Sequence, residues 1–307
     1  MTDDLFPGFA SHWIDGPAGR IFARSGGSGP PLVLLHGWPE TMRIWWRNVA
    51  PLAEAGFEVI VPDLRGFGRS GPAPDGFYDA SACARDVHAL VHDLLGHPHC
   101  VAAGGDYGGV VVQELGLRFE GFVVRQCLFN TIPPLLGDEY REAGIPPAPP
   151  REVRMAADYF LRQGREADAL AAELDTPDKR RRYVAAFYGP RFWAAPGTFA
   201  PEDVDFMTEP FADGDVLRAS FGLYESALGT RELSEPPRWA GARSPVETLV
   251  LYGPEDHVIP RDFPARCEVA FPRRVGPFVV PGAGHFLQWE RAEVLDGALV
   301  AFLREAL

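Results

Sequence analysis

Cysteine is scarce in this chain of 307 residues. The four cysteines are Cys83, Cys100, Cys127 and Cys267, and no two of them form a C-x-x-C pair. Such scattering favours buried thiols in a reducing compartment over a disulfide or zinc framework. We therefore expect cysteine to carry no chemistry here, and we expect neither a metal nor a cofactor.

Positive charge and long apolar runs are also lacking. The 29 lysine and arginine residues face 42 acidic residues, and the formal net charge of −13 would repel phosphate backbones and anionic lipids. Met1-Thr2-Asp3-Asp4 is acidic where a signal peptide would be basic, and no apolar run approaches the roughly 18 residues of a membrane span. We predict a soluble cytoplasmic protein that acts on a small molecule and binds neither nucleic acid nor membranes. Self-association into a homo-oligomer stays open.

Short apolar runs that end in polar or glycine-rich turns recur along the chain. They are residues 31–35, 57–61, 100–103, 123–129, 248–252 and 275–280. Runs of this length and composition are typical of buried parallel strands. Segments with helical spacing, such as Ala80 to Leu95, lie between them. The alternation predicts an α/β fold with a mostly parallel sheet.

A segment of different character interrupts this alternation between about residues 133 and 242. It opens with a proline-rich tract at 144–150 and continues with helical spacing near Glu152 to Gln163 and Ala167 to Leu174. Thr176-Pro177-Asp178 supplies an N-cap, a first-turn proline and an acid that compensates the helix dipole. The predicted parts are a first core segment at 1–133, a helical cap at 134–241 and a second core segment at 242–307.

A glycine-rich turn follows the strand at 100–103. Gly104-Gly105-Asp106-Tyr107-Gly108-Gly109 has the form G-x-Nu-x-G of a nucleophile elbow, with an aspartate where a serine is usual. The chain contains no G-x-S-x-G. A structural turn with Asp106 as a helix N-cap is the alternative interpretation.

A second loop, His36-Gly37-Trp38-Pro39, directly follows the strand at 31–35. In hydrolases with a nucleophile elbow, backbone N–H groups from such a loop and from the residue after the nucleophile form an oxyanion hole. These would be the N–H groups of Trp38 and Tyr107. A proline in so tight a loop can take a cis bond.

An acid and a base complete the pattern. An apolar strand at 248–252 ends in Gly253-Pro254-Glu255-Asp256, and Pro281-Gly282-Ala283-Gly284-His285 follows the last predicted strand. The chain order nucleophile, acid, base is that of α/β-hydrolase triads, which predicts Asp106, Asp256 and His285 as the triad.

Two other groups are less informative. His88 and His92 have the i, i+4 spacing of a metal-ligand pair, but the H-E-x-x-H glutamate is missing, which favours surface histidines. The glycine-rich Asp63 to Ser70 fits no phosphate-loop pattern, and we expect a structural turn in which Asp63 and Arg65 can pair.

Together these segments resemble the epoxide hydrolases of the α/β-hydrolase superfamily, with haloalkane and haloacetate dehalogenases as near relatives. The resemblance is carried by His36 to Pro39, Asp63 to Ser70, Gly105 to Gly109, Gly253 to Pro260 and Gly284 to Phe286. It covers both core segments and is weaker in the cap. It implies the α/β-hydrolase fold with an inserted helical lid, an aspartate nucleophile, a His-Asp pair that activates water, and two cap tyrosines.

A carboxylate suits epoxide opening better than a hydroxyl. Serine would form an ether, which no oxyanion hole helps to hydrolyse, whereas aspartate forms an ester and, being ionised at neutral pH, needs no base for its attack. His285, oriented by Asp256, would then activate water to hydrolyse the ester on Asp106. The expected substrates are a small hydrophobic epoxide and water, and the product is a diol.

The leaving group separates epoxides from halides. An opening epoxide oxygen needs a proton, whereas a departing halide needs only N–H donors. Haloalkane dehalogenases carry a tryptophan after the nucleophile and fluoroacetate-type enzymes an arginine, where this chain has Tyr107. At the position of Trp38, many haloalkane dehalogenases have a halide-binding asparagine. The resemblance favours an epoxide hydrolase, with a haloalkane or haloacetate dehalogenase as the alternative.

Two further comparisons with the family concern the acid and the cap. Some relatives take the acid from the strand before the cap, but here that strand ends in Asn130-Thr131, so Asp256 remains the acid. Leu217 to Tyr224 resembles the segment with the second cap tyrosine, which makes Tyr224 the candidate proton donor. When the chain is aligned with the segment that carries the first cap tyrosine, Ala156 occupies the tyrosine position. Tyr159 lies three residues later, on roughly the same helical face.

Two questions therefore stay open. Either Tyr159 substitutes for the first tyrosine or the enzyme works with one donor, and core packing is the other explanation for both tyrosines. Some members of this fold are ligand-binding receptors rather than enzymes, an alternative against which Asp106, Asp256 and His285 argue together.

Overall fold

The computed structural model describes residues 5–16, 19–147 and 158–303, with an eight-stranded sheet at its centre. The strands are β1 (Ala10–Gly16), β2 (Gly19–Gly27), β3 (Pro31–Leu35), β4 (Glu58–Pro62), β5 (Cys100–Gly105), β6 (Val123–Thr131), β7 (Glu247–Tyr252) and β8 (Arg274–Val279). Their spatial order is β1-β2-β4-β3-β5-β6-β7-β8. β2 pairs antiparallel with β1 and β4, and the pairs from β4 to β8 are parallel.

The six predicted strands are confirmed as β3 to β8, with ends that differ by up to two residues. Every residue of β3 and β5 is buried, because helices cover both faces of the sheet and the central strands must be apolar on both. The chain order of β3, β5, β7 and β8 brings the loops after their carboxyl ends to one edge of the sheet.

The described residues also form α-helices around the sheet. They are α1 (Val49–Glu54), α2 (Ala80–His88), α3 (Asp106–Arg118), α4 (Asp138–Glu142), α5 (Asp158–Arg165), α6 (Ala167–Glu173), α7 (Pro177–Tyr188), α8 (Pro201–Thr208), α9 (Gly214–Ser220), α10 (Gly222–Leu228), α11 (Phe263–Ala270), α12 (Leu287–Glu290) and α13 (Ala292–Leu303). The helix predicted from Ala80 to Leu95 is confirmed, since α2 runs into a π-helical turn at Ala89–Leu94. None of the helices in the described ranges combines the length and apolar character that a membrane crossing requires.

Between β6 and β7, the described residues form only helices, turns and loops, which include α4 to α10. The predicted start at Thr176 is confirmed: its hydroxyl accepts a 3.3 Å hydrogen bond from the N–H of Lys179, and Pro177 opens α7. The end of the proline-rich tract and the start of the helix predicted near Glu152 lie outside the described residues.

Buried carboxylates tie the end of this helical segment to the core. Asp79 accepts hydrogen bonds of 2.7 and 2.8 Å from the N–H and hydroxyl of Ser234. Glu114, which has no exposed surface, accepts from the N–H groups of Arg238 and Trp239 at 2.8 and 2.9 Å. Hydrogen bonds to charged acceptors are among the stronger ones, so this connection to the core is held firmly.

The expected pairing of Asp63 with Arg65 is wrong. The two oxygens of Asp63 accept hydrogen bonds from the N–H groups of Met42 and Arg69 at 2.8 and 2.9 Å. Both oxygens of the carboxylate are therefore bound to the backbone of two different loops. Arg65 instead binds Asp86 through two parallel hydrogen bonds of 2.7 and 2.8 Å. A bidentate match between guanidinium and carboxylate is the better partner for a buried arginine.

Candidate active site

Asp106 stands at a strained turn between β5 and α3. Its φ of 45° lies in the left-handed region that non-glycine residues rarely adopt. The turn needs glycine on both sides: a Cβ on Gly104 would lie 2.6 Å from the carbonyl carbon of Gly108, and one on Gly108 would lie 2.3 Å from the carbonyl oxygen of Leu35. The segment therefore has the geometry of the elbow that its sequence predicts.

The loop after β3 meets the carboxylate of Asp106. The backbone N–H of Trp38 donates a 2.9 Å hydrogen bond to Oδ1 of Asp106, and the Trp38–Pro39 bond is cis. Tyr107 is the second residue of α3, where N–H groups have no acceptor within the helix. The hydroxyl of Tyr107 points elsewhere and donates to the carbonyl of Tyr78 at 2.7 Å.

His285 and Asp256 meet in the loops that follow β8 and β7. Nδ1 of His285 lies 2.9 Å from Oδ2 of Asp256, and neither side chain has exposed surface. Oδ1 of Asp256 accepts from the N–H groups of Val258 and Ile259 at 2.6 and 3.1 Å. Because the backbone holds Oδ1 of Asp256, Oδ2 is fixed as the partner of Nδ1 of His285. Nε2 of the ring therefore faces Asp106.

Nε2 of His285 faces Asp106. It lies 3.4 Å from Oδ2 of that carboxylate and makes no hydrogen bond with the described residues. Burial alone lowers the pKa of His285, but the charges of Asp256 and Asp106 outweigh burial and raise it well above the usual value. The two carboxylates therefore favour the protonated imidazole in the free protein.

Asn130 stands where some relatives carry the acid, and it links the two loops of the pair. Its side-chain oxygen accepts from the N–H of Gly253 at 2.8 Å, and its amide N–H donates to the carbonyl of Gly284 at 2.5 Å. One amide thereby joins the loop that carries Asp256 to the loop that carries His285.

Both candidate cap tyrosines lie against Trp38. The ring of Tyr159 on α5 stacks on the indole at 5.9 Å, and the ring of Tyr224 on α10 meets it edge-on at 5.5 Å. The two tyrosine rings are 5.8 Å apart, and both are buried. The structure brings the two tyrosines together against the loop of His36 to Pro39. Ala156, which occupies the tyrosine position in the aligned register, lies outside the described residues.

Sequence reasoning missed three side chains next to these groups. The ring of Trp193, from the segment between α7 and α8, lies 5.0 Å from the ring of His285. Glu290 at the end of α12 accepts from the N–H groups on both sides of His285. Glu40 accepts from the N–H of Gly37 at 2.6 Å. A lone tryptophan or glutamate has no spacing pattern that would mark it, and only the folded geometry identifies these three.

Buried polar groups hold the loop of His36 to Pro39, and burial shifts their pKa values in opposite directions. Nε2 of His36 accepts from the N–H of Leu64 at 3.0 Å, so its Nδ1 carries the proton and donates to Gly37, and burial lowers its pKa to about 4. Burial raises the pKa of Glu40 to about 7. Gln288 donates to Glu40 at 2.9 Å. The loop is therefore held by a neutral imidazole and by a carboxyl group that is partly ionised near neutral pH.

Among the described residues, His88, His92 and Asp93 form a group of potential metal ligands. The two imidazole rings stack 4.8 Å apart, and His88 lies flat on Phe119 at 3.8 Å. Nδ1 of His92 is hydrogen-bonded to Asp93 at 2.7 Å. The arrangement is that of packed rings on the helix that precedes β5, away from the loops that carry Asp106 and His285.

Comparisons with known proteins identify the family and the fold of the chain. Residues 30–292 match the family model described as alpha/beta hydrolase fold. A soluble epoxide hydrolase of Corynebacterium sp. (strain C12) is 31% identical over 290 residues, which are 92% of this chain and 93% of that protein. Epoxide hydrolase A of Mycobacterium tuberculosis is 29% identical over 306 residues, with 91% and 92% covered.

A solved structure gives the same result for the fold. The structure of epoxide hydrolase CorEH without ligand superposes with a TM-score of 0.82 at 22% identity, and the match covers 97% of this chain and 100% of that one. The predicted fold class is confirmed. The chain belongs to the α/β-hydrolase superfamily, in the group that contains the epoxide hydrolases.

Proposed function

We propose that this protein is an epoxide hydrolase, a hydrolase acting on ether bonds, which converts a small hydrophobic epoxide and water to a vicinal diol. The observation that carries the proposal is the line of contacts from the Trp38 N–H through Asp106 to His285 and Asp256. The names of the relatives support the same activity.

In the first step, Asp106 attacks an epoxide carbon. Oδ1 is engaged by the Trp38 N–H, so Oδ2 is the oxygen free to form the new C–O bond. The bond from that carbon to the epoxide oxygen breaks, and the oxygen takes a proton from Tyr224, with Tyr159 as a second donor. The product of this step is an ester of Asp106 that carries a hydroxyl on the neighbouring carbon.

In the second step, His285 removes a proton from water, which attacks the carbonyl carbon of the ester. The negative charge that develops on Oδ1 is stabilised by the N–H groups of Trp38 and Tyr107. The bond between the ester oxygen and that carbon breaks, the departing alkoxide takes the proton from His285, and the diol leaves. The regenerated carboxyl group of Asp106 keeps the second proton of the water, and its loss through solvent to the Tyr224 phenolate returns both groups to their starting states. Asp256 holds the imidazole in the tautomer that this step needs.

Hydrogen bonding around Trp38 and Tyr107 argues against halide chemistry. The indole N–H of Trp38 donates to the hydroxyl of Ser220 at 3.1 Å, and the hydroxyl of Tyr107 is directed to Tyr78. By the family resemblance, Trp38 and Tyr107 occupy the positions at which dehalogenases carry their halide donors, and both side chains already donate elsewhere. The phenols of the cap are better matched to an oxygen that needs a proton.

A single comparison of substrates tests the proposal. The purified protein is offered styrene oxide, a chloroalkane and a p-nitrophenyl ester, with formation of diol, chloride and nitrophenol as the readouts. We expect diol from the epoxide and little product from the other two. Chloride release without diol would establish a dehalogenase, and binding without any product would establish a ligand-binding protein.

A further inference from the structure

One buried carboxylate, that of Glu290, accepts hydrogen bonds from the backbone on both sides of His285. Oε1 of Glu290 accepts from the N–H of Phe286 at 2.9 Å, and Oε2 accepts from the N–H of Gly284 at 2.6 Å. The N–H of His285 itself donates to the carbonyl of Trp193 at 2.7 Å. Three consecutive N–H groups of the loop are therefore engaged, and the two outer ones share a single side chain.

The same carboxylate extends to the helical segment between the core halves. Oε2 of Glu290 also accepts from the N–H of Ala195 at 2.9 Å. Trp193 thus binds the backbone of His285 directly, and Ala195 binds Glu290, which holds the same loop. The indole of Trp193 meets the imidazole edge-on at 5.0 Å. The position of the imidazole is coupled through Glu290 to the segment that covers it.

The chemistry of this contact requires a carboxylate. Glu290 is 6% exposed, and a buried carboxylate is costly unless its lone pairs are filled by donors. Burial raises its pKa, while the N–H groups of Gly284, Ala195 and Phe286 act in the opposite direction. Glutamine has one acceptor oxygen, so it would turn an N–H donor toward a backbone N–H and leave a buried donor unpaired.

We propose that Glu290 is a positioning residue for the ester-hydrolysis step, which holds His285 in place beneath Trp193 so that Nε2 points at the water attacking Asp106. The proposal rests on the two-step function proposed above. It predicts a division between the steps: alkylation needs Asp106 but no base, whereas hydrolysis needs His285 in an exact position.

Single-turnover kinetics of Glu290→Gln test this division. Rapid quenching followed by mass spectrometry gives separate rate constants for appearance and loss of the alkyl-enzyme. We expect hydrolysis to slow by about 10- to 100-fold and alkylation to change by less than about twofold, so that the ester accumulates. Glu293→Gln, which changes an exposed glutamate three residues further along, is the matched control and should match the wild type.

Glu290→Asp is the second variant, because it keeps two acceptor oxygens on a shorter side chain. Its hydrolysis rate constant should fall between those of the wild type and Glu290→Gln. A merely structural role would reduce the fraction of active molecules, seen as a smaller burst, and leave both rate constants at wild-type values. That result, or equal slowing of both steps, would overturn the proposal.

Failure of the proposed function is distinguishable from failure of this inference. If the wild type converts a chloroalkane instead of an epoxide, the ester on Asp106 still forms, and the Glu290 comparison can be made with that substrate. If the wild type forms an ester whose loss is as fast in Glu290→Gln as in the native chain, the epoxide assignment stands and the positioning role does not.

Discussion

Nε2 of His285 lies 3.4 Å from Oδ2 of Asp106, and this contact couples the charge of the base to the state of the nucleophile. In the free protein, Asp106 and Asp256 together raise the pKa of His285 well above its usual value against the effect of burial. Formation of an ester neutralises Asp106. The pKa of His285 should then fall, which frees the imidazole to act as a base at the moment when water must be activated.

This coupling predicts a difference between two titrations. Because the ester removes one carboxylate charge, hydrolysis of the alkyl-enzyme should rise with pH through an apparent pKa lower than that of His285 in the free protein. Single-turnover hydrolysis rates between about pH 5 and about pH 9 give the first value, and an NMR titration of the imidazole gives the second. Equal values would contradict the coupling.

His285→Gln should trap the alkyl-enzyme. Attack by Asp106 needs no base, but ester hydrolysis does, so the first step proceeds and the second stops. Mass spectrometry of a digest should show the substrate mass added to the peptide that contains Asp106. Absence of an adduct with a substrate that the wild type converts would argue against a covalent scheme.

Asp106→Ala should abolish turnover and leave the fold intact. The conformation of the elbow depends on Gly104 and Gly108, whose positions exclude a side chain, rather than on the carboxylate. We expect loss of at least about two orders of magnitude in kcat with an unchanged circular dichroism spectrum. Residual turnover above a few per cent of the wild type would remove Asp106 from the role of nucleophile.

Tyr224→Phe should slow alkylation by about 10²- to 10⁴-fold, since it removes a proton donor and keeps the ring that packs on Trp38. If Tyr159 is a second donor, the double change with Tyr159→Phe should cost more than the single change. If Tyr159 only packs on the indole, its change should add little. Single-turnover alkylation rates of the two single variants and the double variant decide, and an unchanged rate in Tyr224→Phe would remove the main ground for preferring epoxides to halides.

Glu40→Gln should change the pH dependence of stability. The pKa of Glu40 is raised from 4.5 to about 7, so the folded protein binds more protons than the unfolded chain between these values and loses stability as pH rises through them. The variant lacks this titration and keeps an acceptor for Gly37. Relative to the wild type, its free energy of unfolding should rise by about 3 kcal/mol from pH 4.5 to above 7.

Urea unfolding at several pH values measures this effect. Glu54→Gln, which changes an exposed glutamate of α1, is the control, and it should not reproduce the effect of Glu40→Gln. His36 acts in the opposite sense, because its lowered pKa costs stability as pH falls from 6.5 toward 4, and that loss should appear equally in all three proteins. A pH-independent effect of Glu40→Gln would contradict the prediction.

The parts of the fold that could be predicted from the sequence are those with a strong local signal. Strands β3 to β7 are apolar because helices cover both faces of a parallel sheet. β8 is an apolar edge strand whose residues are half-buried or exposed, and Thr176 with Pro177 marks the start of α7. β1 and β2 escaped prediction, since an antiparallel edge hairpin with glycine, arginine and serine among its residues carries no continuous apolar run.

The candidate site also has residues that could be predicted from the sequence and residues that could not. Motifs marked Asp106, Trp38, Asp256 and His285, and the structure brings these residues into contact; their roles in catalysis stay predictions. The pairing of Asp63 with Arg65 failed because closeness in sequence does not decide which buried charges meet. Glu290 carries no local signal, since one of its three donors, Ala195, lies 95 residues away from it along the chain.

The contact of Glu290 with Ala195 has a consequence for protein engineering. A helical insert taken from a relative will keep the imidazole aligned only if it offers a carbonyl and an N–H where Trp193 and Ala195 offer them now. Libraries that aim to broaden the range of accepted epoxides should therefore hold residues 193–195 constant and vary the helices around them. Recombination boundaries are best drawn so that this stretch and α12 are inherited together.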